Sequence, residues 1–329
     1  MKTYSYCTAD VFTQSIFGGN PLAVVFDADD LDTPTMQKIA REFNYSETTF
    51  LYTPRAKQAA AGVPHFGVRI FTPFRELPFA GHPTIGTAAV LAHSGRVKFT
   101  PGQNLTSEDV NIILEEQVGD VPVTLTRRSN ENGDVFFARL TAARPIEFSP
   151  EPAPDISVLA NVLALDPEEI GARDAHGNLY LPRGAATGIP SLNVPVRDRA
   201  VLARARIRFD VWERDLKNTW APDPYLFTFA ENSGDTLPDL YARKFALTAG
   251  VGEDPATGSA ATTLAGYLAH AMPSVCDAMD GEFNWRIHQG YEMGRPSLLA
   301  ARAVKAGGRI LSLGVGGDSR VVCTGTFQI

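Results

Sequence analysis

Apolar and polar positions along this chain switch between two periods, and the switches mark its elements. Residues 3 to 12 and 22 to 26 read as strands joined by a turn at Gly18-Gly19-Asn20-Pro21. Thr33-Pro34 then opens a helix with Met36, Ile39, Ala40 and Phe43 at helical spacing, and Asn44-Tyr45-Ser46-Glu47 ends it. Thr48–Tyr52, Phe66–Phe71, Asn111–Leu114, Val121–Thr126 and Val135–Leu140 are strand-like, so the first half is largely β. Four prolines between Pro145 and Pro154 mark the expected connector. Beyond it, Val158–Leu165 predicts a helix, and Leu192–Val196, Ile207–Val211, Tyr225–Ala230 and Tyr241–Ala246 predict strands. Leu298–Val304 and Arg309–Val315 flank a turn at Lys305-Ala306-Gly307-Gly308, which predicts a hairpin, and Val321–Phe327 predicts a last strand.

Two helix starts stand apart from this pattern because their first turns are built from small residues. One is Gly250 to Thr263, a glycine-bearing turn feeding a run of helix formers, with Asp254 expected as N-cap and Pro255 at the first helical position. Such a helix start aims unpaired N–H groups and the positive end of its dipole forward, which suits a ligand carboxylate. The other is Phe79 to His93. His82-Pro83-Thr84-Ile85-Gly86-Thr87-Ala88-Ala89 lies over Asp254-Pro255-Ala256-Thr257-Gly258-Ser259-Ala260-Ala261 at an offset of 172 residues, and both runs soon reach Leu-Ala-His. That spacing fits two similar domains. A register shifted by a few residues is also tolerable, and two small-residue helix starts also match by chance, so the echo alone leaves these readings open.

Length and charge narrow the class. At 329 residues the chain is large for a single core, and two domains are expected, 1–145 and 146–329, with the last strand free to cross back to the first. A net charge of −7 argues against a nucleic-acid or anionic-membrane partner. The first ten residues hold no apolar signal core, and Cys7, Cys276 and Cys323 are scattered and odd in number, which reads as reduced thiols in a cytoplasmic protein. The six histidines lack zinc spacing, Gly250-Val251-Gly252 is followed by no P-loop lysine, and the setting of a nicotinamide site is absent, so neither metal nor cofactor is expected.

Taken with their neighbours, the two helix starts resemble the PhzF-like isomerase family of phenazine biosynthesis. Gly19-Asn20-Pro21-Leu22-Ala23-Val24-Val25, Ser46-Glu47-Thr48, Arg69-Ile70-Phe71-Thr72-Pro73 leading to Gly81-His82-Pro83-Thr84, and Glu253-Asp254-Pro255-Ala256-Thr257-Gly258-Ser259-Ala260 carry the resemblance in the family's order. Gln289-Gly290 with Met293-Gly294-Arg295-Pro296-Ser297 adds a fifth match. Each is weak alone; together they are specific. The chain is somewhat longer than typical members, with extra length expected around 98–110 and 172–185.

The resemblance implies an α+β, diaminopimelate epimerase-like fold: two pseudo-symmetric domains, each a curved sheet around a central helix, with the active site in the cleft between them. It also implies a homodimer. By residue type alone Glu47 reads as a solvated turn residue, His82 as a packed or capping histidine, and Asp254 as a helix cap. The family pattern makes Glu47 the catalytic acid/base and gives His82 and Asp254 contacts to the substrate. Ser46, Gly81, Gly258 and Ser259 then bind it. A glutamate enclosed in an apolar cleft holds its proton more tightly, so it can take one from carbon and return it elsewhere. Arg295 suits an ion pair equally well and stays outside this set.

The expected function is a cofactor-independent isomerase that moves a proton on a small carboxylate-bearing substrate. One alternative is an epimerase or racemase of a modified amino acid using non-thiol bases, since neither helix start carries the cysteine that thiol racemases on this fold need. Another is a catalytically silent binding protein.

Overall fold

Strands that run parallel need a long crossover between them, and this requirement organises the chain. The computed structural model describes residues 1–54, 62–99, 109–130, 133–230 and 237–329, which fall into two units: Met1–Thr141 with Gly316–Ile329, and Ala142–Val315. Residues 100–108, inside one stretch expected to carry extra length, lie outside the described residues.

The first unit contains β1 (Thr3–Val11), β2 (Asn20–Val25), α1 (Thr33–Phe43), β3 (Glu47–Tyr52), β4 (His65–Phe71), β5 (Glu76–Leu77) and α2 (Gly81–His93). Next come β6 (Asp109–Glu116), β7 (Gly119–Asn130) and β8 (Gly133–Thr141). The second contains β9 (Glu147–Phe148), α3 (Ile156–Leu163), β10 (Ala172–Arg173), β11 (Leu179–Tyr180), β12 (Arg183–Ala186), β13 (Pro190–Pro195), α4 (Arg199–Arg204) and α5 (Phe209–Asp215). It continues with β14 (Pro224–Phe229), β15 (Leu240–Lys244), α6 (Gly258–Ala271), α7 (Pro273–Cys276), β16 (Gly281–Gln289) and β17 (Ser297–Ala306). The long strand β18 (Arg309–Gln328) gives its first residues to the second unit and its remainder to the first.

Both units repeat one pairing order. In the first, β1–β2 is antiparallel, β2–β3 parallel, β3–β4 antiparallel, β4–β6 parallel and β6–β7 antiparallel. In the second, β12–β13, β13–β14, β14–β15, β15–β16 and β16–β17 run through the same sequence. Crossovers fall at matching places. Helix α1 joins β2 to β3 where α4 and α5 join β13 to β14; α2 lies between β4 and β6 where α6 lies between β15 and β16. In the first unit β1 also pairs with β18, which closes the strand order on itself.

Neither α2 nor α6 is amphipathic. Residues 81–92 of α2 are all buried, as are residues 260–269 of α6, and a helix apolar all round belongs inside a core. Each has a glycine where a neighbouring side chain presses in. A Cβ at Gly86 would lie 2.5 Å from Leu22 Cδ2 and Val11 Cγ2, and one at Gly266 would lie 2.7 Å from Ile146 Cδ1.

Two local expectations are corrected. The cap of α1 is Asp32, whose carboxylate accepts from Thr35 N at 2.9 Å, one residue before the expected opening. The stretch 207–211 is no strand: α5 takes over from Phe209, burying Val211 and Trp212 in a cluster with α3 and α4. Its alternation stops at Val211-Trp212, and Leu216 follows Trp212 at helical spacing.

Candidate active site

In the first unit, three segments bring side chains together. Asn44 leaves α1 in a left-handed conformation (φ 53°), which turns the chain into β3 and sets Ser46 and Glu47 at its start. Parallel pairing places Glu47 opposite Leu22, two residues beyond Asn20. Helix α2 begins at Gly81, so His82 sits in its first turn and is 5% exposed.

The contacts between them are specific. His82 Nδ1 lies 2.8 Å from Glu47 Oε2, and His82 Nε2 lies 3.3 Å from the main-chain oxygen of Asn20. Ser46 Oγ donates to Asn20 Oδ1 at 3.0 Å. A carbonyl oxygen can only accept, so the network assigns the hydrogen on Nε2 of His82. The neutral ring then has none on Nδ1. The contact with Glu47 therefore holds one proton, either on an imidazolium facing a carboxylate or on a carboxylic acid facing neutral imidazole. Ser46, Glu47 and His82 are thus gathered around Asn20, with Gly81 adjacent in the chain.

Behind the helix start, Thr84 Oγ1 donates to Glu116 Oε1 and is 2.6 Å from Ala80 O. Glu116 is 4% exposed, and burial pushes its carboxyl up to about 8, while the Thr84 hydrogen bond pulls the other way. Sequence gave no sign of this residue, which ends an ordinary alternating strand.

In the second unit the expected cap is corrected. Asp254 is not the N-cap of α6: its N–H donates to Lys244 O at 2.9 Å in an isolated β-bridge, and the helix starts at Gly258 with Thr257 as N-cap. The Asp254 carboxylate instead accepts from Thr257 Oγ1. Gln289 holds this turn from the other side, donating Nε2 to Asp254 O at 2.7 Å and accepting from Tyr225 OH at 3.1 Å. Gly258 and Ser259 occupy the first turn, next to Asp254 in the same segment. Lys244 is buried beneath, donating to Ser191 Oγ at 3.0 Å and Asp223 O at 2.9 Å. Burial pushes its ammonium down to about 8, against the opposing pull of Asp223 and Asp254.

The echo also shifts register. The helices begin at Gly81 and Gly258, an offset of 177 (258 − 81), and Leu91-Ala92-His93 falls on Leu268-Ala269-His270 at the same offset. His82 then corresponds to Ser259, not to Asp254. Neither helix start receives a side-chain cap, and neither has an acidic first turn. Two buried hubs, Asn20 and Gln289, lie within the motifs that carry the resemblance, yet nothing in their spacing marks them as hubs.

Comparison with known proteins adds identity to this geometry. Residues 9–325 match the family described as phenazine biosynthesis-like protein. An uncharacterized isomerase of Mesorhizobium japonicum is 33% identical, with 100% of both chains covered. Trans-2,3-dihydro-3-hydroxyanthranilate isomerase of Pseudomonas chlororaphis is also 33% identical, over 99% of this chain and 100% of its own. Among solved structures, a Bacillus anthracis phenazine biosynthesis protein of the PhzF family covers 100% of both chains with a TM-score of 0.79 at 24% identity, which speaks to the fold.

Proposed function

The chain belongs to the PhzF-like family of isomerases, with its diaminopimelate epimerase-like α+β fold, and from that premise we propose that it moves a proton on a small carboxylate-bearing substrate without a cofactor. The observation that carries this reading is the 2.8 Å contact of Glu47 with His82. The contact engages Oε2 of Glu47 with the His82 ring and leaves Oε1 as the reacting oxygen. Oε1 takes a proton from an allylic carbon as that C–H bond breaks, and the double bond migrates. The resulting carboxylic acid returns the proton at the far carbon, so atoms balance and no group is lost. One residue serving both half-steps suits an isomerisation better than an epimerisation, which needs an acid facing the base.

Asp254, Ser46, Gly81, Gly258 and Ser259 hold the substrate in this reading. The uncapped N–H groups at Gly258 and Ser259 suit its carboxylate, and Asp254 suits an amine or hydroxyl. No thiol chemistry is invoked: the cysteines at 7, 276 and 323 lie outside both helix starts.

The first compound to try is trans-2,3-dihydro-3-hydroxyanthranilate, because a 33% identical relative is named for isomerising it. In deuterated water, an isomerase or epimerase introduces deuterium at carbon. A binding protein leaves every tested ligand unlabelled, and that result across a panel of cyclic and linear carboxylates would sink the proposal.

A further inference from the structure

Away from these helix starts, three side chains of the first unit meet on one face of its sheet. Antiparallel pairing sets Glu115 of β6 directly opposite Asp120 of β7. Like charges so placed repel each other. The neighbouring strand β4 begins at His65, whose Nε2 lies 3.4 Å from Asp120 Oδ1 and 4.0 Å from Glu115 Oε2. The His65 side chain is only 3% exposed, yet neither ring nitrogen makes a hydrogen bond among the described residues. A buried imidazole aimed at two carboxylates without bonding either asks for a cation between them.

We propose that His65, Glu115 and Asp120 form a binding site for a divalent metal of the zinc or manganese kind. The donor set of one imidazole and two carboxylates suits such ions. The donor atoms all lie within 4.8 Å of one another. A tetrahedral ion with ligands at about 2.0–2.2 Å needs its donors about 3.3–3.6 Å apart. The His65–Asp120 separation already falls in that range, and a small swing of Glu115 supplies the rest.

The support behind the ligands is also in place. Tyr52 OH lies 3.3 Å from Glu115 Oε1, so that oxygen is held and Oε2 is the one presented to His65. The Tyr52 ring itself lies over Gly67, where a Cβ would stand 2.4 Å from Cε2. Partners of this kind fix the orientation of a metal ligand. The bound ion ties together β4, β6 and β7, which gives it a structural role separate from the chemistry at Glu47.

The test is calorimetric titration of the full chain, stripped with EDTA, with zinc chloride and separately with manganese chloride in a non-chelating buffer. Manganese guards against the exposed thiols of Cys276 and Cys323, which favour zinc. One saturable ion per chain is expected, with a rise in melting temperature. Asp120→Asn, at a half-exposed position that tolerates the change, should weaken binding by at least about tenfold, the scale of losing even an outer partner. His65→Gln should do the same, and Cys276→Ser with Cys323→Ser should leave it unchanged. Absence of one-to-one binding by either metal up to about 1 mM, or binding that Asp120→Asn leaves intact, overturns the proposal.

Discussion

His82 Nδ1 and Glu47 Oε2 stand 2.8 Å apart, one at the start of a helix and the other at the start of a strand. The first prediction follows from that pairing. Glu47→Gln keeps the shape of the side chain and removes its affinity for a proton. Ligand binding should survive within a fewfold, while turnover falls by about 10²–10⁴, the range of general acid–base catalysis. Turnover and wash-in of solvent deuterium, measured beside ligand affinity, check this. Parental turnover in the variant would move the proton carrier to another residue.

His82→Asn should cost less, because in the proposed mechanism His82 orients Glu47 and does not carry the migrating proton. A hydrogen bond to a charged group is worth about 1.5–3 kcal/mol, so a loss of about tenfold to a hundredfold in kcat is expected. The two residues act as a unit, and the double variant should therefore fall within about threefold of Glu47→Gln alone. Strict additivity of the two losses would show that His82 has a separate task.

Asp254→Asn separates substrate contact from folding. Asp254 is held by its main chain at Lys244 and Gln289, and an asparagine still offers an oxygen to Thr257. Thermal stability should therefore change by no more than about 1 kcal/mol. A fall in turnover beyond tenfold then reports contact with substrate. Unchanged turnover takes Asp254 out of the site.

Most of the longer strands and both central helices were legible because their signals are local, alternation in the strands and small apolar runs in the helices; β16 was missed, and the strands expected at 309–315 and 321–327 are the single strand β18. The cap at Asp254 was misread because Asp-Pro is a good local helix opening, whereas a β-bridge to Lys244, ten residues earlier in sequence, occupies Asp254 and the helix starts only at Gly258. The register of the echo, open by a few residues in the sequence, is settled at 177 by the helix starts and the repeated Leu-Ala-His. Residues 207–211 misled by alternating for five positions, too short a run to outweigh the crossover that β13 and β14 require. Asn20 and Gln289 position the site residues through bonds spanning tens of residues, and no pattern along the chain encodes those.

Gly290 is predicted to be irreplaceable for reasons of space. It has φ 79°, and a Cβ there would lie 2.4 Å from Arg295 O and 2.6 Å from Pro255 O. Gly290→Ala should cost at least about 2 kcal/mol, combining left-handed strain with a clash against backbone. Gly294 makes the comparison: its φ is 68° but nothing lies within 4 Å of its missing Cβ, so Gly294→Ala should cost only about 1 kcal/mol. Urea denaturation of both variants distinguishes them. Equal losses would mean that the loop carrying Gly290 relaxes freely.

Lys244 should give the fold a pH dependence of unusual sign. Its ammonium is pushed down to about 8 by burial, from an ordinary value near 10.5. Between those two values the unfolded chain binds the proton and the folded chain does not, so stability rises with pH across that window. Below about pH 8 the full cost of burying the charge is present, and it is relieved by up to about 3 kcal/mol as pH approaches 10.5. Tyr225 opposes this at the upper end: burial raises its phenol, so the unfolded chain loses that proton first and stability falls above about pH 10. The range to compare is therefore about pH 8 to 9.5, where contributions of other buried groups are common to parent and variant and cancel. Lys244→Met removes the charge while filling a similar volume, and it also removes the donors to Ser191 Oγ and Asp223 O, a cost that does not change with pH. The parent should gain on the variant by at least about 1 kcal/mol between pH 8 and 9.5. Parallel urea-denaturation curves for the two proteins across that range would mean that Lys244 keeps its proton in the fold.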